Sequence, residues 1–154
     1  VMATDINHSK LEMAISSGAD YVTTANTDIL EQLVQVNGTK ADAVIVTTSA
    51  MSALGQAWEA VDMGGVVVLF AVPEPGKEVI VPFNDFWRKE IRIITSYYCG
   101  PSDIDEAIAL ISYGEIIVDD LITHRLPLED TARGFQILLD GEEAVKIIVR
   151  PHEG

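Results

Sequence analysis

Val1-Met2-Ala3-Thr4-Asp5-Ile6-Asn7 is the stretch that decides the fold. It reads as a short apolar strand ending on a carboxylate, with a helix start directly behind it. A carboxylate at the C-terminal end of a parallel strand can accept both hydroxyls of an adenosine ribose. The same charge repels a 2′-phosphate, which favours NAD over NADP. The competing interpretation of Asp5 is a plain helix-entry acid stabilised by the helix macrodipole. Position alone leaves the two open. Lys10, one turn into the helix, could reach back to the same ribose or simply be a solvated lysine.

Working outward, Asn7 is a plausible N-cap, Leu11, Ala14 and Ile15 keep helical spacing, and Gly18 supplies a stop. Tyr21 and Val22 predict a short strand. A second helix is expected from about Asp28 to Val36, ended by Gly38. Ala43-Val44-Ile45-Val46 is an unbroken apolar run, as in a strand covered on both faces. Ser49 can cap a third helix carrying Met51, Leu54, Trp58 and Val61, broken by Gly64-Gly65. Val66 to Phe70 is the most strand-like run in the chain. Val79-Ile80-Val81 reads as a short edge strand, Asn84 to Lys89 as one helical turn, and Ile91 to Ile94 as another strand. Alternating strands and helices with short connections mean parallel βαβ units with right-handed crossovers.

The character changes after Tyr98. Ser102 and Asp105 resemble a capping box for a helix with Ile104, Ile108 and Ile111 on one face, stopping at Gly114. Leu121 to Leu126 reads as extended, Leu128 to Leu139 as a last helix closed by Gly141, and Val145 to Val149 as a final strand ended by Pro151. The expected organisation is a nucleotide-binding domain over residues 1–95 and a C-terminal αβαβ segment over residues 96–154.

The 154 residues suit one compact domain, or one domain plus part of another, and 48% are apolar, enough for a sizeable core. A formal net charge of −14 argues against nucleic acid and anionic membrane surfaces as partners, since both need clustered Lys and Arg. No apolar run approaches the roughly 20 residues of a membrane span. A single cysteine, Cys99, precludes an internal disulfide and favours a reducing compartment, so a cytoplasmic location is expected. The chain opens inside a strand without a Met, which suggests a processed or truncated piece of a longer protein.

Several chemistries lack their residues. The fingerprint G-x-G-x-x-G is absent, and Gly64-Gly65 precedes a strand instead of opening a helix. The backbone N–H groups that would cradle a pyrophosphate are therefore missing, and much of the dinucleotide affinity should go with them. His8, His124 and His152 are scattered and Cys99 has no partner cysteine, so no metal site is expected within the chain. No G-x-S-x-G elbow appears. Thr47-Thr48 and Phe70-Ala71-Val72 fall at the C-terminal ends of two strands, the edge where open α/β sheets bind ligands. Small residues there suit a flat ring; ordinary strand-end packing explains them equally well. A hydroxyl of Ser96, Tyr97 or Tyr98 could touch a ligand or only pack.

In order and spacing, these pieces resemble the medium-chain zinc-dependent alcohol and polyol dehydrogenases. The matching segments are Asp5-Ile6-Asn7 with Lys10, Gly18-Ala19-Asp20, Ala41 to Ile45, and Gly64-Gly65-Val66-Val67-Val68-Leu69-Phe70. Lys89-Glu90, Leu121 to Glu129 and Lys146 to Val149 follow. Each is weak alone, and the likeness covers only the family's C-terminal, coenzyme-binding part. It implies an α/β fold: a Rossmann-like parallel sheet with helices on both faces, lacking its first strand and glycine-rich loop. It further implies cofactor contacts at Asp5, Ile6, Lys10, Thr47, Thr48, Phe70, Ala71, Val72 and Ser96, with Lys146 near the pyrophosphate. The family transfers hydride between an alcohol, such as a sugar alcohol, and nicotinamide, with a catalytic zinc polarising the alcohol oxygen. The zinc ligands belong to a part not present here, so no catalytic residue is expected in this chain and no turnover from it alone.

In the family's sheet the first strand lies between the second and fourth. Without it, two inner edges are unpaired, which invites association. The expectation is that the chain re-pairs its own strands or pairs with another copy, as a homo-oligomer. Two other functions compete. One is a non-catalytic NAD-sensing module on a partial Rossmann fold. The other is a nucleoside-cofactor methyltransferase, which predicts an antiparallel final hairpin.

Overall fold

The computed structural model describes residues 1–71, 73–140 and 144–151. The expected end of the last helix at Gly141 lies outside the described residues, as does His152. The chain divides into two compact units, Val1–Tyr98 and Cys99–Gly154.

The first unit alternates strand and helix throughout: β1 (Met2–Asp5), α1 (His8–Ser16), β2 (Tyr21–Thr24), α2 (Ile29–Asn37), β3 (Ala41–Val46), α3 (Met51–Ala60), β4 (Val61–Leu69), α4 (Phe83–Lys89) and β5 (Arg92–Thr95). Local chemistry sets the helix ends. The Asn7 side chain accepts from the Ser9 amide to cap α1, and Asp28 accepts from the Glu31 amide to cap α2. Gly38 closes α2 in the left-handed conformation at φ 77°, which a side chain would resist.

All of the strand pairs are parallel. The order is β1-β2 in one sheet and β3-β4-β5 in another. No backbone ladder among the described residues joins them, so the second edge of β1 and the second edge of β3 are unpaired. The expected re-pairing of the chain's own strands across that interval does not occur in this fold. The fold is the anticipated α/β, Rossmann-like arrangement, with parallel strands and intervening helices.

The core sits on the larger sheet. Val46, Val61 and Val67 from the strands meet Leu54 and Ala57 of α3 and Phe86 of α4. Trp58 stands edge-on to Phe86 with ring centroids 5.3 Å apart, a geometry worth about 1 kcal/mol beyond area burial. Its indole Nε1 donates to the Ile80 carbonyl at 3.2 Å.

Several local expectations need correction. The third helix ends at Ala60, not at the glycine pair, and Val61 already pairs with Ala41 in β4. Val61 is fully buried, so burial in the sheet wins over helical continuation. The register shifts between Ala41 and Ala43, and Gly64 at φ 73° lets the strand pass through that irregularity. Val79-Ile80-Val81 forms no strand; Val79 and Val81 pack against the core as loop. Ser49 does not cap α3. Ala50 holds that position, and the Thr48 hydroxyl accepts from the Ala50 amide at 3.3 Å.

The second unit contains α5 (Pro101–Ser112), β6 (Ile122–Pro127), α6 (Thr131–Leu139) and β7 (Lys146–Arg150), the expected αβαβ succession. The cap of α5 differs from the expected one. The helix starts at Pro101, and Asp103 reaches back to accept from the Gly100 amide at 2.7 Å. Leu128 lies in a 3-10 turn ahead of α6. Strands β6 and β7 pair in parallel, from Ile122 opposite Lys146 to Pro127 opposite Arg150. This overturns the antiparallel final hairpin of the methyltransferase alternative.

Two outcomes are expected from this packing. A Cβ at Gly65 would stand 2.8 Å from the Asp62 carbonyl oxygen and 2.9 Å from that of Asp42, both rigid backbone. Gly65→Ala should therefore cost about 2 kcal/mol by overpacking, read as a lower urea midpoint with unchanged slope. The second concerns Asp62, whose carboxylate accepts from the Thr39 hydroxyl at 2.6 Å and from the Met63 amide at 2.8 Å. These bonds, the Thr39 hydroxyl foremost, hold its carboxyl below the usual range. A depressed folded-state value contributes stability above the unfolded pKa of about 3.9 and loses it as pH falls through the folded value. Thr39→Val should raise the Asp62 NMR titration toward the ordinary carboxylate range and remove that acid-limb contribution.

Candidate functional site

Parallel pairing brings the C-terminal ends of neighbouring strands to a common lip. In the larger sheet the lip is knit by backbone. The amides of Phe70 and Ala71 donate to the Val46 carbonyl at 3.0 and 3.1 Å, and the Ser96 amide donates to the Leu69 carbonyl at 3.0 Å. These bonds place Thr47-Thr48, Phe70-Ala71 and Ser96 side by side at the ends of β3, β4 and β5. Thr47, Thr48, Phe70 and Ser96 are exposed, and Ala71 is half-buried. Val72 lies outside the described residues.

Asp5 ends β1 at the lip of the smaller sheet. Its side chain is half-buried, and Oδ1 accepts from the Asn7 amide at 2.8 Å. Asn7 Oδ1 in turn accepts from the Ser9 amide at 2.9 Å and the Ser9 hydroxyl at 2.8 Å. The Asp5-x-Asn7-x-Ser9 spacing thus makes two consecutive side-chain-to-backbone turns. They orient the carboxylate and leave Oδ2 without a hydrogen-bond partner among the described residues. Asp5 thus bonds the backbone at the helix entrance through Oδ1, and Oδ2 is left to accept from other donors. A carboxylate so held can take a pair of hydroxyl donors.

Ile6 is exposed next to it, and Lys10 is exposed in the first turn of α1. Lys146 begins β7 in the second unit; it is exposed, and its carbonyl accepts from the Thr123 hydroxyl at 3.2 Å. Among the described residues no group of three or more His, Cys, Asp and Glu is placed to hold a metal ion. Cys99 is free and exposed. No helix among the described residues is long and apolar enough to cross a membrane.

Two residues that shape the lip escape the sequence reading. Ala25, just past β2, donates its amide to the Asp5 carbonyl at 3.0 Å. Gln56 of α3 donates its side-chain amide to the Ala25 carbonyl at 2.9 Å. Nothing in the sequence marks Gln56, which shares α3 with two other polar residues, Ser52 and Glu59. The Asp5–Asn7–Ser9 spacing is a legible signal by contrast.

Parallel strands alternating with helices, their C-terminal ends gathered at a lip, define a Rossmann-like α/β protein. The sequence profile described as zinc-binding dehydrogenase matches residues 1–113, and the chain belongs to that family. It is 27% identical over 150 residues to an alcohol dehydrogenase of Geobacillus stearothermophilus, a match covering 97% of this chain and 43% of that protein. It is also 27% identical over 154 residues to a sorbitol dehydrogenase of Bombyx mori, with the same coverage of each. A short chain alcohol dehydrogenase from E. coli CFT073, solved with NADH, superimposes with a TM-score of 0.85 at 24% identity, over 98% of this chain and 44% of that one. The chain thus spans less than half the length of the relatives it matches, which are alcohol and polyol dehydrogenases.

The cap makes a direct expectation. Asn7→Ala should cost about 1 kcal/mol of stability, measured by denaturant titration, while Asn7→Asp keeps the cap and most of the stability.

Proposed function

We propose that this chain is the coenzyme-binding part of an NAD-dependent, zinc-dependent alcohol or polyol dehydrogenase, with Asp5 accepting the hydroxyls of the adenosine ribose. The observation that carries this reading is the Asp5 carboxylate, half-buried at the lip of a parallel pair with one oxygen unspent. Its charge favours a ribose diol over a 2′-phosphate, hence NAD over NADP. Ile6 and Lys10 border the same ribose. Thr47, Thr48, Phe70, Ala71 and Ser96 border the adenine and nicotinamide sides. Residues 1–95 form the coenzyme domain, and residues 96–154 return toward a catalytic domain.

The nicotinamide coenzyme, when bound, would supply the hydride acceptor for alcohol oxidation. This chain's own part is to bind and orient: Asp5 holds the ribose through charge-assisted hydrogen bonds, and the larger sheet's lip supplies small side chains against flat rings. The described residues do not fit a zinc site, so in this reading the metal's ligands come from elsewhere in the parent enzyme. The substrate is a small alcohol or sugar alcohol. The unpaired edges of β1 and β3 favour a homo-oligomer, and the single cysteine favours the cytoplasm.

The isolated chain is expected to bind NAD weakly and to show no turnover. Titration with NAD, followed by NMR, should shift the amides of Ile6, Ala25, Thr47 and Ser96, and S-adenosylmethionine should not. Asp5→Ala should lower the affinity at least tenfold, the loss of a charged hydrogen-bond acceptor of about 1.5–3 kcal/mol. Shifts that persist unchanged in Asp5→Ala, or robust alcohol oxidation by these 154 residues, would overturn the reading.

A further inference from the structure

The two lips of the first unit belong to sheets that share no backbone ladder among the described residues. Something else must set the place of Asp5 relative to Thr47 and Phe70. Two connections are available. Helix α2 lies beside α3; Ile29 and Leu33 are buried on α2, and Leu54 and Ala57 on α3. Packed helices can still shear past one another by small slides, so this contact alone leaves the register of the two sheets soft. The second connection is directional. Gln56 Nε2, half-buried in α3, donates to the Ala25 carbonyl, and the Ala25 amide donates to the Asp5 carbonyl. Two hydrogen bonds therefore run from the helix that leaves the larger sheet's lip to the main chain of Asp5. Among the described residues, no other hydrogen bond joins α3 or the larger sheet to β1, β2 or their lip.

We infer that Gln56 is a positioning residue that holds the Asp5 lip in register with the Thr47–Phe70 lip. It touches no ligand; it acts through Ala25 and the backbone of Asp5. Its consequence for binding rests on the coenzyme reading above. A dinucleotide has one ribose at Asp5 and its far ring at the other lip, so it feels the register of the two sheets. Adenosine monophosphate carries only the first half and does not reach across.

The register itself can be tested without ligand. In a Cys99→Ser background, spin labels at Glu12→Cys on α1 and Asp85→Cys on α4 report the separation of the two sheets by pulsed dipolar spectroscopy. Both positions are exposed and outside the proposed site. The parent should give one narrow distance distribution. Gln56→Met, close in shape but with no donor, should broaden or shift it, and Gln56→Lys, which restores a donor, should narrow it again. NMR titrations of the same variants should show NAD affinity falling about fivefold to tenfold in Gln56→Met, with adenosine monophosphate unchanged. A purely structural loss would weaken both ligands together and leave the distance distribution of the folded fraction as in the parent. An unchanged distribution in Gln56→Met overturns the inference, as does an equal loss for both ligands. If the parent binds neither ligand, the coenzyme reading fails, and the distance measurement still decides the role of Gln56.

Discussion

Parallel strand pairing is the constraint on which the rest of the structure depends. A parallel neighbour cannot be reached by a tight turn, so paired strands need a crossover, and here α1 supplies it between β1 and β2, and α3 between β3 and β4. Because every pair runs the same way, the C-terminal ends of neighbouring strands in a sheet gather at one edge. Asp5 lies at that edge of the smaller sheet, and Thr47, Phe70 and Ser96 lie at that edge of the larger one. The candidate site is thus a product of topology first and of side-chain chemistry second.

The same constraint explains what is unusual about the first unit. Its strands make two ladders, and the edges of β1 and β3 left between them carry main-chain groups with no strand partner. Packing of α2 on α3 and the Gln56–Ala25 bond keep the ladders in one unit, although neither substitutes for a strand. Apolar surface is left uncovered as well. Ile45 is 64% exposed within β3, and α5 buries none of its residues although Ile104, Ile108 and Ile111 share a face. Apolar faces of this kind belong to surfaces made for contact. They agree with a chain that spans 43% of the length of its relatives.

The fold was largely legible because its signals are local and periodic. Asn7, Asp28 and Gly38 announce helix ends through their own side chains or lack of one, and the apolar runs around Val44 and Val67 announce buried strands. The misreadings fall where a long-range contact overrode a local signal. Val61 fits the helical period of α3, yet its burial opposite Ala41 assigns it to β4. Val79 and Val81 alternate like a strand, yet they pack on the core while Ile80 spends its carbonyl on Trp58.

The candidate site divides along the same line. The sequence by itself determined the strand-ending acid, the cap behind it, the absence of a glycine-rich turn and the family resemblance, because each resides in residues adjacent along the chain. Only the tertiary structure decided that Asp5 keeps one oxygen unspent, that the strands form two ladders, and that Gln56 reaches Ala25 across 31 positions. The physical reason is that a hydrogen bond between distant segments depends on how helices pack on sheets, and no local spacing of residue types encodes that distance.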